Sequence, residues 1–145
     1  MPLSAVVHAQ VEAAVLKSSP INSDWIIEGA PSARCASLSR SADGSTWTDL
    51  WDCTAGSFYW HYQCNETIHI LDGHAVITDC DGAIWHLNAG DVMQFRYATR
   101  ARWDVPQYIR KVAFCSESVP RSLLALLRAG NRMQQVAGRM LGRTP

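Results

Sequence analysis

Apolar and polar positions alternate along the central part of the chain, which predicts an all-β domain. Between Arg34 and Ser116, runs of about five to eight residues rich in aromatic and β-branched side chains are separated by turn signals. These signals are Asp43-Gly44, Asp72-Gly73, Asp81-Gly82 and Ala89-Gly90. Phe58, Trp60 and Tyr62 fall on one face of one such run, as expected for a half-buried strand. Turns about eight to twelve residues apart favour a sandwich or barrel over a sheet with helical crossovers.

Both ends of the chain change to a helical period. Within residues 5–16, apolar side chains recur every three or four positions and predict a short amphipathic helix. After Pro120, apolar side chains alternate at helical spacing with basic ones, and an interruption is expected at Gly130-Asn131. The basic positions are Arg121, Arg128, Arg132, Arg139 and Arg143. We therefore predict an N-terminal helical arm over residues 1–23, a β-barrel domain over 24–117 and a basic helical tail over 118–145.

Composition restricts the class of protein. A chain of 145 residues fits one domain, and 48% hydrophobic with 18% charged residues is typical of a soluble globule. The start lacks the pattern of a secretory signal, and no stretch approaches about eighteen consecutive apolar residues, so we expect neither export nor a membrane span. The five cysteines form no C-x-x-C pair, which favours free thiols and a cytoplasmic location.

The formal net charge of zero conceals a strong asymmetry. Residues 1–95 carry 3 basic and 11 acidic side chains, whereas residues 96–145 carry 10 basic and 2 acidic ones. One explanation is complementarity, either within one subunit or between the two subunits of a homodimer, and another is a site for an anionic ligand. Nucleic-acid binding is not expected, because the protein is neutral and the basic residues lie in no recognisable reading motif.

The segment from Gly56 to Gly73 holds the most promising chemistry. His61 and Glu66 flank a short turn, and a hairpin there would bring both side chains into the barrel interior. An imidazole and a carboxylate in one pocket can ligate a divalent metal, or act as an acid/base dyad.

The same segment resembles the first motif of the cupins, because six residues separate Glu66 from Gly73 and His61 precedes Glu66 by five. Gly90-Asp91 begins a segment similar to the start of the second cupin motif. From Asp24 to Cys115 the chain resembles the branch typified by (S)-ureidoglycine aminohydrolase. The pieces that carry this resemblance are Trp25–Gly29, Trp51–Gly56, His69–Gly73, Gly90-Asp91, Trp103–Val105 and Arg110-Lys111. It implies a cupin jelly roll, that is, a double-stranded β-helix barrel, and nitrogen-rich ureido or amino acid derivatives as ligands.

Two expected metal ligands are missing from this pattern. Tyr59 stands where the first histidine of the first motif falls, and Ala101 where the histidine of the second motif falls. The resemblance leaves His61 and Glu66 as ligands of a weakly held divalent metal, with Mn, Fe, Ni or Zn as candidates. If the protein is an enzyme, Glu66 is the expected general base, His61 its partner and Tyr59 a hydrogen-bond donor.

The second-motif segment has gained arginines, which predict an anion-binding loop at the barrel mouth. The predicted substrate-binding residues are Arg96, Arg100, Arg102, Trp103 and Gln63. Guanidinium groups offer paired donors to a carboxylate or phosphate. The alternative is that these arginines face water or pair with Asp49, Asp52 or Asp104. Tryptophans at 47, 51, 60, 85 and 103 line an aromatic pocket in one interpretation and form the core in the other.

Two functional hypotheses follow. In the first, a single-domain cupin binds a small polar, anionic metabolite in its barrel, with a degenerate metal site and aminohydrolase-like or other cupin chemistry. In the second, the barrel is a metal-free binding module or a dimeric assembly module without catalysis.

Overall fold

A computed structural model describes residues 4–141 and contains eight β-strands followed by one long helix. The strands are β1 (Lys17–Ser18), β2 (Ile26–Gly29), β3 (Ala33–Arg40), β4 (Thr46–His61), β5 (Asn65–Thr78), β6 (Ile84–Asn88), β7 (Val92–Phe95) and β8 (Arg100–Ser116). The helix, α1, spans Arg121–Leu141. The all-β prediction with a C-terminal helix is confirmed. Residues 1–3 and 142–145, which include Arg143 and the outer ends of the predicted arm and tail, lie outside the described part.

The strands form one antiparallel barrel-like sheet in the order β1-β3-β4-β8-β5-β6, with β2 added to β4 and β7 added to β5. β4 and β8 pair from Thr46 opposite Ser116 to His61 opposite Arg100. Their register shifts between Thr54 and Gly56, where a bulge lets the long strands bend.

The alternation in the sequence correctly predicts which side chains face inward. Phe58 and Trp103 stand opposite each other on β4 and β8, and their stacked rings lie 6.2 Å apart in the buried core. The same register places Trp47, Cys115 and Glu66 side by side on β4, β8 and β5. This second set begins the wall of the cavity described below.

The predicted helix within residues 5–16 is wrong. The structure has only a single 3₁₀ turn, Val11–Ala13, followed by β1, which pairs with β3. Val6, Val7 and Val15 remain exposed, so a helix here would gain no burial, and β-branched side chains favour extended backbone. The guanidinium of Arg110 holds this segment through the backbone carbonyl of Val11, at 3.3 Å.

Two expected chain breaks are also absent. Asp72-Gly73 is not a turn, because β5 continues through it; Gly73 instead adopts φ +79° where the register between β5 and β8 shifts. The left-handed conformation that suits glycine to turns also suits it to a bulge. The helix likewise continues through Gly130-Asn131.

Helix α1 has an apolar side and a basic side, and none of its side chains is buried. Leu126 and Met133, for example, are 70% and 71% exposed. The core of the barrel therefore forms without any buried side chain from α1. Within residues 4–141, no helix is both long enough and apolar enough to cross a membrane.

Candidate functional site

A cavity of about 330 Å³ opens into the barrel between β3, β4, β5 and β8. Its walls contain the indoles of Trp25, Trp47, Trp51 and Trp60. Its polar lining includes Asp49, His61, Gln63, Glu66 and Lys111. A larger groove, of about 500 Å³, lies along β6 and β7 and contains none of the predicted site residues.

An ion pair lies at the buried end of the cavity. The Nζ ammonium of Lys111 donates a hydrogen bond to Oε1 of Glu66, and the two residues are only 5% and 7% exposed. Lys111 faces inward because it lies on the same face of β8 as the buried residues Ile109 and Ala113. Its ammonium also lies 5.0 Å from the ring centroid of Trp51, within cation–π distance. The pair thus places two opposite charges beside an apolar wall.

Asp49 supplies a second carboxylate to the cavity wall. It lies two residues before Trp51 on β4 and shares its inward face. Burial raises the pKa of Asp49 above its usual value, an effect opposed by the charges of Arg40 and Lys111. Arg40 stacks on the ring of Trp47 at 5.3 Å but does not line the cavity. The lining side chains therefore carry two carboxylates and one ammonium.

The tryptophans interlock through edge-to-face contacts. The ring centroids of Trp25 and Trp60 are 5.5 Å apart at 74°, and those of Trp51 and Trp60 are 5.9 Å apart at 72°. Trp25 comes from the 3₁₀ turn Ser23–Trp25, which the side chain of Asn22 caps by accepting from the backbone N–H of Asp24. Rings at near right angles present faces from several directions to the same space.

His61, Gln63 and Glu66 border this one cavity at different depths. His61 is exposed at the end of β4, with its ring 4.9 Å from that of Trp25, and Gln63 is exposed in the turn before β5. Glu66 is buried beside Lys111. No hydrogen bond joins His61 to Glu66 among the described contacts, so the structure shows no direct dyad.

The remaining predicted site residues do not line this cavity, and the anion-binding role expected for the arginines stays a prediction. The Nε and Nη2 of Arg102 donate to Asp104, each at 2.9 Å, in a bidentate ion pair. The guanidinium of Arg100 stacks over Tyr59 at 4.8 Å. Neither these residues nor the exposed Arg96 line the cavity. Arg102 is held by Asp104, two residues along the same strand β8, and Arg100 is held by Tyr59 on the neighbouring strand β4. Tyr59 does not line the cavity either.

Trp103 is a core residue rather than a lining one. Only 2% of it is exposed, and its Nε1–H donates to the hydroxyl of Tyr62 at 3.0 Å. Its ring supports the site from behind, because the Lys111 ammonium lies 5.2 Å from its centroid. Of the tryptophans predicted as pocket or core, 47, 51 and 60 line the cavity, 103 is core, and 85 is half exposed at the surface.

The cavity thiols are not activated nucleophiles. All five cysteines are free, as predicted. Burial raises the pKa of Cys35, Cys64 and Cys115, which line the cavity, and raises the pKa of the nearby core residue Cys53 to about 12. Since the thiolate is the reactive form, these side chains act as small, weakly polar wall groups near neutral pH.

The residues present do not fit the metal centre that the cupin motifs imply. Lys111 already occupies an oxygen of Glu66, His61 lies at the rim against Trp25, and the inward-facing Ala101 offers no donor. Within residues 4–141, the one cluster of potential ligands comprises Cys64, Glu66 and Cys115, with donor atoms within 4.8 Å of one another. Its thiols are protonated near neutral pH and its carboxylate is the partner of Lys111, so a cation there would compete with that ammonium.

No role in the site was predicted for Lys111 or Trp25, and Asp49 was considered only as a partner for the arginines. The sequence signal for Lys111 is its position among the residues of β8 that face inward. A charged side chain is unexpected at such a position unless it has a partner of opposite charge. The same parity places Asp49 with Trp47 and Trp51. Trp25 comes from an isolated turn, whose contact with β4 no local pattern indicates.

Comparison with known proteins agrees with this architecture. The model of the EutQ-like cupin domain family matches residues 40–113, about half of the chain. No curated protein shows a significant match to the sequence.

Solved structures resemble the chain in fold. The putative ethanolamine utilization protein EutQ of Salmonella typhimurium is 19% identical, with a TM-score of 0.53 over 61% of this chain and 72% of that one. A protein of unknown function from Pseudomonas syringae pv. tomato is 21% identical, with a TM-score of 0.66 over 72% of this chain and 45% of that one. An RmlC-like cupin from Shewanella frigidimarina is 12% identical, with a TM-score of 0.57 over 77% and 90% of the two chains.

These identities establish a shared fold only. They support the predicted cupin jelly roll, whereas the finer resemblance to the (S)-ureidoglycine aminohydrolase branch stays a prediction. Together with the family match, they lead to one assignment: this chain belongs to the EutQ-like cupin domain family.

Proposed function

We propose that this protein is a binding cupin, whose barrel cavity holds one small polar molecule next to the Lys111–Glu66 ion pair. The observation that carries the proposal is a buried pair of opposite charges at a cavity wall otherwise rich in indoles. Ligand sites commonly combine an apolar lining with a few convergent polar groups. Burying charges costs free energy, so a paired lysine in an open cavity favours a role in recognition.

The cavity retains polar capacity after the ion pair has formed. The Lys111 ammonium has three donors, and Glu66 accepts one of them through Oε1. Gln63 and His61 add hydrogen-bonding groups at the rim. A volume of about 330 Å³ lies near the lower end of the range of about 300–1,000 Å³ for ligand sites, which suits a small metabolite. The nitrogen-rich class implied by the ureidoglycine aminohydrolase resemblance is compatible with this lining.

The six tryptophans allow a direct test by NMR. In a screen of small polar metabolites, we expect a ligand to shift the indole N–H resonances of Trp25, Trp47, Trp51 and Trp60. Trp85 is the internal control, because it lies outside the cavity and donates to Asp79. Binding that shifts Trp85 alone, or no binding across the screen, would contradict the proposal.

Rim variants locate the site without disturbing the core. His61→Ala and Gln63→Ala change exposed side chains and are expected to weaken a hit several-fold, as each removes a contact worth about 1 kcal/mol. Gln94→Ala is the matched control on β7, outside this cavity. Equal affinities for all three variants would place the ligand elsewhere.

A further inference from the structure

The cavity combines aromatic walls with more carboxylates than ammonium groups, and both features favour a cationic ligand over an anionic one. We propose that its ligand is a small organic cation, an alkylated amine or quaternary ammonium compound, held against the indoles and Asp49. This inference rests on the proposed function and specifies its ligand class.

The charged side chains of the lining are more negative than positive. Asp49 and Glu66 are its carboxylates, and Lys111 is its ammonium. Because Lys111 is paired with Glu66, the charge left for a ligand to balance is that of Asp49. Arg40 lies near Asp49 but stacks on Trp47 outside the lining, so it moderates the field without closing the cavity.

The aromatic walls of the cavity also favour a cation. Trp25, Trp47, Trp51 and Trp60 come from separate parts of the chain and border one space. The faces of indoles carry negative partial charge and attract cations within about 6 Å of the ring centroid. Lys111 already makes such a contact with Trp51, which shows that this wall accommodates a positive charge.

The arginines of β8 are not available to a ligand in the cavity. An anionic ligand would need cationic donors that are free to meet it, yet Arg100 stacks on Tyr59 and Arg102 is bound to Asp104. Neither lines the cavity. The remaining donors of Lys111 lie beside the Glu66 carboxylate, so an anion that accepted from them would stand next to a buried negative charge.

Three probes of similar size and different charge test the inference: choline, its uncharged isostere dimethylbutanol, in which tert-butyl replaces trimethylammonium, and the carboxylate dimethylbutanoate, which has the same tert-butyl head. Each is titrated into the full chain while the tryptophan indole resonances are recorded. We expect choline to bind at least about tenfold more tightly than dimethylbutanol, and dimethylbutanoate to bind most weakly.

Asp49→Asn keeps the shape of the side chain and removes its charge. It is expected to abolish the preference for choline while leaving the affinity for dimethylbutanol unchanged. Asp91→Asn, outside this cavity, should retain the preference. Should Asp49→Asn fail to fold, the three probes on the unmodified protein still decide the question.

The outcomes separate the two proposals. Equal binding of choline and dimethylbutanol at the cavity indoles, or tighter binding of the carboxylate, would overturn the cation inference and leave a small-molecule cupin. If all three probes and the wider metabolite screen leave those indoles unshifted, the proposed function itself fails.

Discussion

At the scale of single residues, Lys111 carries a positive charge into the interior, where burial disfavours charge without a partner. The substitution Lys111→Met leaves the buried carboxylate of Glu66 without its positive partner. We therefore expect the free energy of unfolding to fall by about 3–5 kcal/mol. The double variant Lys111→Met/Glu66→Gln should recover much of that loss. Urea unfolding followed by tryptophan fluorescence measures both, and strictly additive losses would show that the two side chains are not coupled.

The five thiols should react in an order set by exposure and pKa. Cys80 is exposed, whereas Cys53 and Cys115 are buried and burial raises the pKa of each. A raised pKa keeps the reactive thiolate scarce until the pH is high, so labelling of these two thiols should remain slow near neutral pH and accelerate as pH rises. Mass spectrometry after timed iodoacetamide treatment, with Cys80→Ser as control, checks this order. Fast labelling of Cys115 at pH 7 would contradict it.

Residue-scale prediction from the sequence succeeded where alternation alone decides orientation. The parity of β4 indicates that Phe58 and Trp60 face inward, and the cupin motif singles out Glu66. No sequence pattern indicated that Lys111 is buried, because a lysine is ordinarily expected to face solvent and its partner Glu66 lies 45 residues away. The pairing of Arg102 with Asp104, two residues away on β8, agrees with the alternative offered for the arginines, whereas the stacking of Arg100 on Tyr59 depends on cross-strand register that no local pattern contains.

At the scale of elements, two glycines with nearly the same backbone angle have very different surroundings. A Cβ on Gly73, at φ +79°, would lie 2.0 Å from the backbone oxygen of Tyr108. A Cβ on Gly82, at φ +83°, would meet nothing within 4 Å. Gly82→Ala should therefore cost only the left-handed conformation, about 1–2 kcal/mol. Gly73→Ala should cost more than about 4 kcal/mol or prevent folding, because β5 and β8 must separate.

Thermal and urea unfolding of the two variants measure the comparison, and the matched angle isolates steric contact from backbone strain. Equal destabilisation would mean that β5 does not approach β8 as closely as described. The sequence identified Asp72-Gly73 as special but assigned it to a turn, because a positive φ is locally the same in a turn and a bulge. The N-terminal helix failed for a related reason, since apolar spacing indicates a helix only if some surface covers it.

At the scale of the whole molecule, α1 contributes no buried side chain to the barrel. Ending the chain at Val119 should therefore leave the free energy of unfolding unchanged within about 0.5 kcal/mol. Tryptophan fluorescence is a suitable probe, because all six tryptophans precede α1. A loss above about 2 kcal/mol would show that α1 packs on the barrel or on a second copy in solution.

The homodimer stays a prediction that the charge asymmetry motivates. α1 has four arginines and no acidic residue, whereas residues 67–95 contain four aspartates and no lysine or arginine. If these segments attract each other between subunits, light scattering should show a dimer at low ionic strength that dissociates as salt is added. A monomer at every salt concentration would leave the asymmetry within a single chain.

The place of β8 in the sheet has a consequence for how the chain acquires its structure. β8 lies between β4 and β5, so neither of those strands has both neighbours until residue 116 has been synthesised. The nascent polypeptide thus leaves the ribosome with one long edge of β4 and one of β5 still unpaired, and the barrel closes only after β8 has emerged. Such delayed, long-range pairing is characteristically slow, and it makes the interval before closure the time of greatest vulnerability to aggregation and proteases.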